Sequence, residues 1–98
     1  MTELSAVAHR AVEAATGAGA SDAEAYVSRE SGREVRVHGG EVESLTAAVQ
    51  TGVGIRAWSG HRVGYAYGTD LSEAGVAAIA AGAAHAAAVA DEDEFAAP

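Results

Sequence analysis

The sequence predicts a small α+β domain, with two helices packed on one face of an antiparallel sheet of about four strands, in the order helix, four strands, helix. Apolar residues recur at helical spacing near both ends of the chain and alternate with period two between them, and short glycine turns separate the alternating segments. Helix and strand signals segregated in this way favour helices gathered on one side of an antiparallel sheet over a βαβ arrangement.

Thr2 is placed to cap a first helix running to about Thr16, in which Leu4, Ala8, Ala11, Val12 and Ala15 share one face. Gly17 and Gly19 end it. From Ala23 to Ser31 the pattern changes, with Ala23, Ala25 and Val27 on one side and Glu24, Tyr26 and Ser28 on the other, which predicts a first strand. Arg33 to His38 alternates again, and Gly39-Gly40 can supply the positive φ of a two-residue hairpin turn. The chain then returns from Glu41, with Val37 opposite Val42 and Arg36 opposite Glu43. Leu45 follows Val42 at an odd spacing, so a bulge or register change is expected near Ser44.

A second hairpin is predicted from Val53–Trp58 and Arg62–Tyr67 about Ser59-Gly60-His61. With Gly60-His61 as its turn, Trp58 pairs with Val63 and Arg56 with Tyr65. Asp70-Leu71-Ser72-Glu73 has the form of a capping box with aspartate at the cap, opening a second helix from Leu71 to Ala90. Leu71, Val76, Ile79, Ala83, Ala86 and Ala90 lie along one side of it. The carboxylates of Asp91-Glu92-Asp93-Glu94 are disfavoured at the negative end of a helix dipole and end it. Residues 1–90 are therefore expected to form one domain, and 91–98 the acidic start of a linker toward a C-terminal domain missing from this sequence.

A length of 98 residues suits one domain with one core. Alanine makes up much of the 49% apolar fraction and buries little area at about 25 cal/mol per Å², so the core is thin and contacts beyond the chain are expected. A net charge of -8 argues against nucleic acid, and the six basic residues, all arginine, are too scattered to mark a membrane surface. With no cysteine there are no disulfides or thiolate chemistry, as in a reducing compartment. Glu3, His9 and Arg10 interrupt any signal peptide. The alanine-rich run from Gly75 to Ala90, with His85 inside it, is too short to span about 30 Å of hydrocarbon. A cytoplasmic location with no membrane contact is expected.

Gly52-Val53-Gly54-Ile55-Arg56-Ala57 matches a GxGxxA dinucleotide fingerprint, but that motif must open a helix, and the residues that follow here are β-formers. Strand glycines permitting close packing are the simpler reading. His9, His38, His61 and His85 show no ligand spacing, and His38 and His61 lie at hairpin turns, where exposure explains them. No serine has a nucleophile-elbow sequence around it, and the run Asp91–Glu94 lacks the spacing and turn glycine of a calcium loop. No catalytic residue, metal ligand or cofactor site is therefore expected in this chain.

One surface survives this filter. Arg56 and Trp58 share a hairpin face with Val63, Tyr65 and Tyr67, and Tyr26 extends it if the first strand is adjacent. Two readings stand: the aromatics are the core face under the helices, or the flatter face of Val53, Ile55, Ala57, Gly64 and Ala66 receives the helices. On the second reading Arg56, Trp58, Tyr65 and Tyr67 meet a partner or a peptide.

The stretches GASDAEAYVSRESGREVRVHGGEVESLT and GVGIRAWSGHRVGYAYGTDLS, which cover most of the chain, resemble the N-terminal domain of the TldD/PmbA family, also called modulators of DNA gyrase. The resemblance rests on GEVE after the first turn, then GxGIRA, SG, GYAY and a helix opened by DLS. It implies a cytoplasmic metallopeptidase-like protein, a protease and hence a hydrolase. Its members pair as homodimers or as TldD with PmbA, and the parent takes a peptide substrate. In the active branch a His-Glu-three-residues-His motif later in the chain holds zinc. These residues lack that motif, so no ligand is carried over, and zinc is expected only in the full-length protein if it belongs to the TldD branch. Arg56-Ala57, Ser59-Gly60 and Gly64–Tyr67 lean toward that branch. The alternative is a self-standing interaction or ligand-binding module, and the reading frame after Pro98 separates the two.

Overall fold

The computed structural model describes residues 3–29, 33–45 and 51–93. In chain order these form α1 (Glu3–Gly17), β1 (Asp22–Arg29), β2 (Arg33–His38), β3 (Glu41–Leu45), β4 (Gly52–Ser59), β5 (Arg62–Gly68) and α2 (Glu73–Val89). The strands make one sheet in the order β3-β2-β1-β4-β5, with every neighbouring pair antiparallel. The fold is thus the expected α+β class with five strands rather than about four. The two hairpins do not pair with each other; β1 lies between them and satisfies a free edge of each, as an alternating strand with partners on both sides can.

Alternation decides which face is covered. Ala23, Ala25 and Val27 of β1, Val35 and Val37 of β2, and Val53, Ile55 and Ala57 of β4 are buried on the helix side. There they join Leu4, Val7, Ala8, Ala11 and Ala15 of α1 and Val76, Ala80, Ala83, Ala84 and Ala87 of α2. The largest fully buried side chains are Ile55, Val27, Val37 and Val53, so small residues and short helix–sheet distances fill the core. Gly64 marks the closest approach, since a Cβ there would run into the backbone of Ala83 and Ala87.

The turns follow the glycines. Gly39 and Gly40 take φ of 60° and 79°, a type I′ pair whose twist suits a hairpin, and Val37↔Val42 and Arg36↔Glu43 follow from it. Gly60 alone is positive in the second turn, at 62°, the glycine-first pattern of type II′, and it sets Trp58↔Val63 and Arg56↔Tyr65.

Two local expectations are corrected. No bulge interrupts β3, because the ladder runs unbroken from His38↔Glu41 to Glu34↔Leu45. Val42 is 48% exposed on the outermost strand, so nothing there forces an apolar register. The cap of α2 is Ser72 rather than Asp70: the Ser72 hydroxyl oxygen accepts the Gly75 N–H at 3.1 Å, while Asp70 Oδ1 accepts the Ser72 N–H at 2.9 Å. The carboxylate orients the cap instead of being the cap, and its bonds from the Ser72 hydroxyl and then the Ser72 N–H hold its pKa below the ordinary value. The expected Thr2 cap lies outside the described residues.

Beyond α2, Arg62 Nε donates to Ala90 O at 3.0 Å, Arg62 stands 3.8 Å from Glu92, and the Asp93 N–H donates to His61 O at 2.9 Å. The first acidic residues are therefore fastened to the β4–β5 turn.

Candidate functional site

Both helices pack on one side of the sheet, so the register places Asp22, Glu24 and Tyr26 of β1, Arg36 and His38 of β2, Arg56 and Trp58 of β4, and Val63, Tyr65 and Tyr67 of β5 on the opposite face. All four residues expected to form a contact surface, Arg56, Trp58, Tyr65 and Tyr67, lie on this face. Their environments differ. Tyr65 and Tyr67 are 57% and 53% exposed, whereas Trp58 is only 5% exposed.

The tyrosines lie across the strand beside them. A Cβ at Gly52 would strike the Tyr67 ring, and one at Gly54 would come within 2.6 Å of the Tyr65 hydroxyl. The GxG of the nucleotide-like motif is thus a pair of strand glycines on which aromatic rings rest, on the side away from the helices. Trp58 is held differently. Its carbonyl accepts the Ser21 N–H at 2.7 Å and the Ser21 hydroxyl at 2.9 Å, and its ring meets His38 at 5.5 Å between centroids, tilted by 36°.

His38 belongs to a polar cluster that sequence reasoning missed. Its Nε2 lies 3.1 Å from Asp22 Oδ2 and its Nδ1 3.9 Å from Glu24 Oε2, while Arg56 stands 3.7 Å from Glu24 Oε1. The expectation of a freely exposed turn histidine is corrected: Asp22, Glu24 and the Trp58 ring leave only 31% of its side chain accessible. The available signal was the pair of carboxylates two residues apart on one strand, which period two puts on the same face. Pairing with β2 then brings His38 opposite Glu24, and no local pattern reveals that pairing.

Glu24 is the most constrained member. It sits on the central strand at 7% exposure, and among the described residues its Oε1 has no hydrogen-bond partner. It lines a groove of about 590 Å³ with Arg36, His38, Glu41 and Val42. A smaller groove of about 310 Å³ lies between the helices, lined by Arg10, Glu13, Ala14, Glu73, Val76 and Ala77.

His9, His61 and His85 stand on α1, in the β4–β5 turn and on α2, and none joins His38. Among the described residues no three His, Cys, Asp or Glu side chains are grouped to hold a metal ion. Among the described residues no helix is long and apolar enough to cross a membrane.

Among the described residues the fold is an α+β domain whose two helices cover one face of the sheet and leave the other without a helix. The family model described as PmbA/TldA metallopeptidase domain 1 matches residues 23–90, from β1 to the end of α2, and the chain belongs to that family. No curated protein matches it.

Proposed function

We propose that this chain is the non-catalytic first domain of a TldD/PmbA-type metallopeptidase subunit, and that its helix-free face contacts a homologous subunit and borders the path of a peptide substrate. The observation that carries this is the exposure of Tyr65 and Tyr67 beside Arg56, on the face that the helices leave uncovered, in a chain whose match to the family spans β1 to α2. Aromatic rings with polar edges next to an arginine are the usual content of interface hot spots. The Arg56-Ala57 and Gly64–Tyr67 segments favour the TldD branch, in which the parent protein carries the zinc, and the parent is expected in the cytoplasm as a homodimer or as TldD with PmbA.

The test is association. Replacing Tyr65 and Tyr67 together by alanine should leave the far-ultraviolet circular dichroism unchanged. It should weaken self-association, or binding to a homologous subunit, about thirtyfold or more, the equivalent of losing one hot spot of about 2 kcal/mol. Unchanged sedimentation and unchanged subunit binding by the folded double variant would refute the contact role.

A further inference from the structure

The sheet ends in two edges whose chemistry differs. β3 carries Glu41 and Glu43, charges of the kind that keep an edge strand from recruiting a partner. β5, at the other end, has no charged residue after Arg62, no proline, and no bulge in its ladder with β4. Among the described residues no strand pairs with its outer side.

The register fixes which backbone groups point outward. The two-residue turn makes Ser59↔Arg62 a hydrogen-bonded pair, and such pairs alternate along an antiparallel ladder. Gly64, Ala66 and Gly68 therefore bond to β4, while Val63, Tyr65 and Tyr67 turn their N–H and C=O groups to the free side. Two contacts agree with this phase. The carbonyl of Trp58, opposite Val63, accepts the Ser21 N–H on the β1 side, and the His61 carbonyl accepts the Asp93 N–H outside the ladder. Nor do side chains cover these groups: the Tyr65 and Tyr67 rings lie over Gly54 and Gly52 of β4, away from the edge.

Another extended backbone is what completes such an edge. Its symmetry suits a second copy of this chain. Val63, Tyr65 and Tyr67 are evenly spaced about Tyr65, bounded by the Asp93 bond at His61 and by the end of β5 at Gly68. An antiparallel copy related by a two-fold axis through Tyr65 sets Tyr65 against Tyr65 and Val63 against Tyr67. Each is a hydrogen-bonded pair exchanging both of its bonds, and each is an aromatic or aromatic–β-branched pair of the kind sheets favour. Charge selects the same strip, because two copies of a chain of net charge -8 repel and can meet only where charge is absent. α2 lies over β5, and between Ala74 and Val89 only His85 can carry a charge; Ala77, Ala78, Ala81, Ala88 and Val89 are exposed there. We propose that the outer edge of β5 pairs antiparallel with β5 of a second copy, joining two five-stranded sheets into one. This goes beyond the contact proposed above, which uses side chains of the helix-free face, since it uses the backbone of the sheet edge.

The 98-residue chain tests the pairing by two measurements. Amide hydrogen exchange is compared at about 50 μM and about 1 mM, a span that populates a weak dimer. The Val63, Tyr65 and Tyr67 amides should gain protection about tenfold or more at the higher concentration, while Gly64 and Ala66 are protected at both. Val63→Pro removes one outward N–H, which an edge strand tolerates. It should keep the far-ultraviolet circular dichroism and weaken self-association in sedimentation about tenfold or more. Should that variant fail to fold, exchange in the parent chain decides alone. Exchange at Val63, Tyr65 and Tyr67 that ignores concentration overturns the pairing, as does unchanged sedimentation of a folded Val63→Pro chain. Protection already present in the dilute sample assigns the edge to the chain's own residues, and protection that needs added acetyl-Thr-Val-Thr-Val-Thr-Val amide assigns it to a peptide; either result also overturns the second copy. Association lost in the Tyr65 and Tyr67 double variant, with edge exchange that ignores concentration, leaves the face contact standing and refutes the edge pairing.

Discussion

Trp58 and Tyr65 stand on neighbouring strands of one face, yet burial assigns them different energetic roles. Trp58, 5% exposed against His38, is packed as tightly as a core residue although it lies on the side without helices. Its replacement by alanine should cost about 3 to 5 kcal/mol, the range for deleting a buried aromatic. Tyr65 rests on Gly54 with more than half its surface open, so Tyr65→Ala should cost about 1 kcal/mol or less, the scale of a single cross-strand pair. Urea unfolding of the two variants reads the difference directly. Equal losses would mean that the Tyr65 ring is structural and would weaken its assignment to a contact.

At the scale of elements, α2 depends on its first turn and on its seat over β5. Ser72→Ala removes the bond to the Gly75 N–H and should cost about 1 kcal/mol, seen as a lower unfolding midpoint and faster amide exchange at Gly75. Asp70 adds a pH dependence. Its pKa is depressed in the folded state, so its contribution is fully present above the unfolded value and disappears as pH falls through the folded value. Asp70→Asn keeps the shape without the charge. The stability difference between it and the parent chain should therefore be constant at neutral pH and shrink toward zero in acid. At the other contact of α2, Gly64→Ala forces a methyl group into the backbone of Ala83 and Ala87, and should cost about 1 to 3 kcal/mol in chemical denaturation.

Across the whole molecule, a core whose largest fully buried members are one isoleucine and three valines is thin, and the fold uses backbone proximity in place of side-chain volume. The end of the described chain follows the same economy, fastened by Arg62 to Ala90 O and by the Asp93 N–H to His61 O rather than by apolar burial. Arg62→Ala should release this segment, abolishing exchange protection at the Asp93 amide. The unfolding midpoint should change little, since partly exposed ion pairs contribute about 1 kcal/mol or less. Persistent protection would mean that the Asp93 bond holds the segment without Arg62.

Local chemistry in the sequence was enough for the α+β class and the two hairpin registers, while the face that receives the helices stayed open between two readings until the core was assembled. Period-two alternation, glycines at Gly39-Gly40 and Gly60, and the bulk of Trp58, Tyr65 and Tyr67 are short-range signals. Tertiary structure decided what depends on strands meeting across the sheet. The central place of β1 was invisible because two complete hairpins already account for their own pairing, and only the free edges of β2 and β4 reveal that both need a neighbour. The burial of Trp58 was likewise set by packing, against His38 of a strand two places away in the sheet. So was the cluster of Asp22, Glu24, His38 and Arg56, drawn from three strands whose side chains become neighbours only when β1 lies between β2 and β4.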